Sequence, residues 1–163
     1  MSTKIEAKIR QHEKWVATLY HAQELGDDAA RAFETTAMIV YSPKSPFTDD
    51  TPDLTKPTYY VPDGPCGFAW VNLKADKGEE GQDARKFLNW LIGRTEPAAR
   101  GCSPVIQPNY WMSGNRSYYG GYDIRVSGFE QSVQRKSAAA SAMAEVLRVN
   151  VPGLRCYSMD RLD

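Results

Sequence analysis

The chain has 163 residues and a mass of 18.3 kDa, with 42% hydrophobic residues, 25% charged residues and 20 charges of each sign. That length and apolar content fit one globular domain and exclude wholesale disorder. The neutral balance argues against gripping nucleic acid or an anionic membrane by bulk charge alone.

The first segment reads as a helix. Ile5, Ile9, Val16 and Leu19 recur at helical spacing, Trp15 and Tyr20 widen that face, and Gly26 is placed to end it as a left-handed cap. His12 and His21 flank the stripe as surface or capping residues. Asp27 and Asp28 are expected to open a short second helix through Phe33, followed by a strand at 36–41. Residues 42–66 then crowd Pro43, Pro46, Pro52, Pro57, Pro62 and Pro65 together with Asp49, Asp50 and Asp53, which predicts a loop with at most one short strand, at 58–61.

From Cys66 the pattern is regular. A strand is expected at 67–74, then a helix at 82–92 with Phe87, Leu88 and Leu91 on one face and Gly93 behind it. A weaker strand at 103–111 is interrupted by Pro108, Ser113-Gly114-Asn115 is a turn, and 119–127 is a strand. Ser127-Gly128-Phe129-Glu130 has the S-x-x-E form of a capping box and predicts a long helix to about Val149, with Val133, Ala140, Met143 and Leu147 inward. Pro152-Gly153 stops it and 154–158 is the last strand. The order β-α-β-β-α-β predicts an α+β fold: a ferredoxin-like split β-α-β core, antiparallel, with two helices on one face. The whole chain is expected to be a single domain over 1–163, with an N-terminal helix and strand extension at 1–41, the Pro-rich loop at 42–66 and the core at 67–159.

Strand alternation sends Ala69, Val71 and Leu73 to the helices and Phe68, Trp70 and Asn72 to the opposite face. By the same rule Tyr122, Ile124 and Val126 face the helices while Asp123 and Arg125 do not, and Arg155 and Tyr157 alternate with Leu154 and Cys156. Aromatic rings beside an arginine are a physical means of stacking a base or another planar group. In outline, 67–73 and 116–126 resemble the first- and third-strand motifs of an RNA-recognition motif, although the second stretch lacks the central aromatic pair in register. Against that stands the favoured expectation that the first helix packs Ile5, Ile9, Val16 and Leu19 onto Phe68 and Trp70, making them core.

Residues 109–122 carry five aromatics, one Arg and several Asn and Ser, a mixture of rigid rings and adaptable hydrogen bonders suited to recognition. The candidate contact residues are Tyr110, Trp111, Arg116, Tyr118, Tyr119, Tyr122 and Arg125. The closing Ser158-Met159-Asp160-Arg161-Leu162-Asp163 adds Asp160 and Arg161, which with Arg135 or Lys136 of the long helix make a polar cluster; its plainer reading is a solvated tail with surface ion pairs.

Catalytic motifs are absent: there is no Gly-x-Ser-x-Gly elbow, no phosphate-binding Gly-rich loop with Lys and no HExxH. Cys66, Cys102 and Cys156 form no CxxC pair, and His12 and His21 are the only histidines, so no metal centre is expected. Cys156, on a strand, reads as an inert buried thiol. No catalytic residue, metal ligand or cofactor is assigned. No run approaches the roughly 18 apolar residues of a membrane span, and the polar opening at 1–10 is unlike a secretory leader, so an intracellular, reducing setting is expected.

Residues 65–74, the 119–126 strand, Gln131-Ser132 with Arg135-Lys136, the Ala-rich helix ending Glu145-Val146-Leu147 and the closing 158–163 together resemble a family of small tailed-bacteriophage proteins without an assigned activity. The resemblance implies context rather than chemistry: a phage accessory or virion product acting in the host bacterial cytoplasm. The expected function is therefore that of a non-enzymatic binding protein engaging a host or phage protein, or a small ligand, through the aromatic hairpin and the C-terminal polar cluster. One alternative is a virion or assembly component forming a homo-oligomer. The other is single-stranded nucleic-acid binding on the sheet face, ranked below the protein partners. No membrane partner is expected.

Overall fold

The computed structural model describes residues 2–47, 49–93 and 105–163. Its elements run α1 (Ser2–Ala32), β1 (Met38–Val40), β2 (Pro43–Ser45), β3 (Asp49–Pro52), β4 (Tyr59–Val61), β5 (Gly67–Ala75), α2 (Gln82–Ile92), β6 (Tyr110–Met112), β7 (Tyr122–Val126), α3 (Val133–Asn150) and β8 (Leu154–Leu162). The fold is α+β. Its main sheet has four antiparallel strands in the order β6-β7-β5-β8, so β5 lies between two strands that follow it in the chain, β7 and β8.

The alternation in Gly67-Phe68-Ala69-Trp70-Val71-Asn72-Leu73 does what a period of two requires. Ala69, Val71 and Leu73 are buried against the helices, whereas Phe68 is exposed and Trp70 half-exposed on the other face. Phe87 and Leu91 of α2 and Ala140, Met143 and Leu147 of α3 complete that core with Ile124 and Met112. The alanines of α3 let it lie close over β5 and β8, and its hydroxyls reach the last strand: Ser141 Oγ donates to Ser158 Oγ at 3.1 Å and Ser137 Oγ to Asp160 Oδ2 at 2.6 Å.

Four expectations are corrected. The N-terminal region is one continuous helix of 31 residues, not two, and Gly26 lies inside it rather than capping it. Its Cα sits where a Cβ would run into the Tyr110 hydroxyl and lie 3.1 Å from Ala139 O, so the glycine is there for close packing against α3 and β6. Nor does α1 cover Phe68 and Trp70. It docks on the helix side, against α3 and through Trp15 against Phe87 and Trp90 (centroids 5.8 and 5.5 Å), while Ile5 and Ile9 stay exposed. Leu19, Ala22 and Ala30 are buried on that side, where apolar side chains leave water.

The third correction concerns 42–66, which holds three short strands instead of one at most. Residues 38–47 and 49–61 form a ribbon in which β1 pairs with β4 (Ile39 opposite Tyr60) and β2 with β3, tied at its base by Thr36 N–H to Gln134 Oε1 at 2.8 Å and Thr35 Oγ to Pro62 O at 3.0 Å. Fourth, the start of α3 is capped by Ser132, whose hydroxyl accepts from Arg135 N at 3.4 Å, and not by Ser127. The Ser127 to Glu130 stretch is instead a loop in which Phe129 and Glu130 both take left-handed backbone (φ 62° and 54°), incompatible with the first turn of a helix.

The expected 103–111 strand is confined to Tyr110–Met112, and its beginning and Cys102 lie outside the described residues. The last strand runs on to Leu162, so the closing segment is sheet rather than a solvated tail. Among the described residues no helix is long and apolar enough to cross a membrane.

Candidate functional site

The uncovered face of the main sheet, roofed along one side by the 113–121 turn, forms an open groove of about 780 Å³. Each strand contributes by register. Phe68 lies opposite Arg161, Trp70 is flanked by Arg125 and Met159, Asn72 by Asp123 and Tyr157, and Trp111 lies opposite Arg125. Alternation alone therefore puts Phe68, Trp70, Trp111, Arg125 and Arg161 on one surface.

Rings and cations are paired across it. The Arg125 guanidinium is 5.4 Å from the Trp111 ring centre, Arg161 is 5.5 Å and Lys136 Nζ 5.9 Å from that of Phe68. Tyr119 stacks on Trp70 with centroids 6.3 Å apart and planes 18° from parallel, and Tyr118 meets Tyr119 edge-on at 5.3 Å. The turn presenting these tyrosines is fixed by Ser117 N–H to Gly121 O (2.9 Å) and Gly120 N–H to Ser117 O (3.0 Å). Gly120 and Gly121 both need positive φ there (78° and 69°), which glycine adopts without strain. Lys136 comes from α3, is 6% exposed, and donates from Nζ to Gly67 O at 3.2 Å, so its charge is fixed at the groove end.

The groove is more basic than the chain. Arg116, Arg125, Lys136 and Arg161 line it against one carboxylate, Asp123. None of the four cations makes an ion pair among the described residues. The indole Nε1 of Trp70, shielded from solvent, has no hydrogen-bond acceptor there either.

Of the residues expected to make contacts, the structure brings together Trp111, Arg116, Tyr118, Tyr119, Arg125 and Arg161. It sends the others elsewhere. Tyr110 is buried on the helix side with its hydroxyl 2.9 Å from Asp27 Oδ1 and 3.1 Å from Gln23 O. Tyr122 packs against the same core. The C-terminal cluster is split by the pleat: Asp160 faces α3 and accepts from Ser137, while its neighbour Arg161 faces the groove. Arg135 turns away to Asp63, 3.6 Å distant.

Phe68, Trp70 and Asp123 join the site although they were not among the candidate contact residues, and Lys136, offered as a partner of the C-terminal cluster, lies at the groove end beside Phe68. The alternation placed three of them correctly, and only the assumed cover of α1 hid two of them. Among the described residues no group of three or more His, Cys, Asp or Glu gathers to hold a metal ion. Comparison with protein-family models, with curated proteins and with solved structures finds no match.

Proposed function

We propose that this chain is a non-enzymatic binding protein that takes a single-stranded stretch of nucleic acid across the open sheet face. One observation carries the reading: an open sheet face whose rings, Phe68, Trp70 and Trp111, with Tyr119 from the adjoining turn, are interspersed with cations that make no ion pair among the described residues. Rings offer a stacking surface to every base, and the guanidinium and ammonium groups offer contacts to the backbone between them. Local charge supplies what the neutral overall balance does not. A ferredoxin-like split β-α-β arrangement of the 67–162 core goes with this reading, supported by the strand order and by both core helices lying on the opposite face. The resemblance to phage proteins would make the partner a phage or host strand in the bacterial cytoplasm.

The test is fluorescence anisotropy of a labelled oligouridine. Saturable binding is expected that weakens about twentyfold between roughly 50 and 200 mM salt, as neutralising about three phosphates of a single strand predicts. Trp70→Ala should cost about 1–3 kcal/mol of binding with the fold intact. No binding at low salt, or binding indifferent to Trp70→Ala, overturns the reading.

A second reading has its own support. The ribbon at 38–61 exposes Ile39, Val40, Phe47, Tyr59 and Tyr60, and a two-stranded ribbon is marginal alone in water. A homo-oligomer through that ribbon, as in an assembly component, is compatible with an occupied groove.

A further inference from the structure

Building on the single-strand reading, we infer that the groove prefers guanine and that Asp123 reads it. A carboxylate lining a path for phosphates opposes binding unless the ligand gives it a donor. Asp123 is the single acid among the groove's charged side chains, yet it makes no ion pair with Arg116, Arg125, Lys136 or Arg161 among the described residues. It is held instead by an amide. Asn72, 2% exposed, donates from Nδ2 to Asp123 Oδ1 at 2.8 Å and to Gly120 O at 2.9 Å. Both amide hydrogens are thereby committed, and the carboxylate is locked to the turn that carries Tyr118 and Tyr119.

The result is an oriented pair of acceptors beside an aromatic stack. Asn72 follows Trp70 by two residues on the same face of β5, so Asp123, its cross-strand partner, stands next to the Trp70–Tyr119 stack. A base stacked at these rings would set its Watson–Crick edge beside Asp123. Only guanine offers two adjacent N–H donors on its Watson–Crick edge, N1–H and the exocyclic N2–H, spaced for two carboxylate oxygens. Adenine and cytosine set one amino group beside an acceptor, and uracil flanks one N–H with two acceptors. The lone pairs left on the carboxylate suffice for both guanine bonds in addition to that from Asn72. In this scheme Asp123 touches the ligand and Asn72 is a positioning residue.

The experiment uses labelled oligouridines carrying one central guanine, adenine or inosine, the last having N1–H but lacking the N2 amine. The wild-type chain should bind the guanine oligomer at least about tenfold tighter than the adenine one, with inosine losing most of that advantage. Asp123→Asn should bind all three alike, no weaker than the wild type binds adenine. GMP competing where AMP does not would assign the same preference to a free nucleotide. Equal wild-type affinities for the three oligomers overturn the guanine inference while the single-strand reading stands. Absence of binding to any of them overturns both. The inosine comparison changes only the ligand, so it decides the matter even if Asp123→Asn does not fold.

Discussion

Tyr110 shows how a side chain that looks made for recognition is instead used to close the core. Its ring is buried beneath α1, its hydroxyl lies between Asp27 Oδ1 and Gln23 O, and Asn109 Nδ2 donates to both Asp27 oxygens at 3.2 Å. Burial, then the hydrogen bond and negative charge of Asp27, push the Tyr110 phenol far above its ordinary value of 10.0. Burial also pushes the Cys156 thiol from 9.0 up to about 12. Both groups are neutral when folded and would ionise sooner when unfolded. Their contribution is therefore whole below pH 9 and falls as pH rises, from about 9 to 12 for Cys156 and from about 10 upward for Tyr110. Each adds a slope of about 1.4 kcal/mol per pH unit within its window. Urea unfolding against pH should show that loss, and Tyr110→Phe should remove the part beginning near pH 10 while costing about 1–2 kcal/mol at neutral pH. A Tyr110→Phe curve parallel to the wild type above pH 10 would contradict this account.

At the scale of elements, Gly26 sets two effects against each other. Alanine in a helix interior gains about 1 kcal/mol over glycine, but here its Cβ meets the Tyr110 hydroxyl and the Ala139 carbonyl, and overpacking costs about 1–3 kcal/mol. Gly26→Ala should accordingly lower the melting temperature, with helix content by circular dichroism unchanged. A raised melting temperature would mean that α1 sits farther from α3 than described.

The same glycine marks where sequence reasoning stops. A glycine after an apolar stripe has the signature of a cap, and only the partner helix shows it to be a contact. Local patterns were dependable where one period governed the segment: 82–92 is a helix over those very residues, and the alternation of 67–73 assigned each side chain its face. They failed at the start of α3, where the S-x-x-E pattern at Ser127 pointed five residues ahead of the actual cap, Ser132. They also failed where the outcome turned on which surface α1 would choose. The groove was half legible for that reason. Its aromatics and Arg125 follow from alternation, whereas its openness depends on α1 docking on the far side of the sheet.

For the whole molecule, the ribbon at 38–61 is the feature that bears on assembly. If its exposed Ile39 and Tyr60 meet a second copy, light scattering will give a multiple of 18.3 kDa, and Ile39→Lys with Tyr60→Lys will return the bare monomer. Oligouridine binding should survive that double change, because the groove lies on the main sheet and the ribbon does not line it. A wild-type monomer at high concentration would remove the second reading and leave the first untouched.

The placement of β5 has a further effect, on synthesis. Its neighbours are Tyr122–Val126 on one side and Leu154–Leu162 on the other, so nothing made before it can pair with it in the main sheet. At about 5–20 residues per second, Gly67–Ala75 waits several seconds outside the ribosome with its edges unpaired. Trp70 and its neighbours would be chaperone ligands in that interval, and yield in the cell would then depend on how quickly translation reaches residue 162.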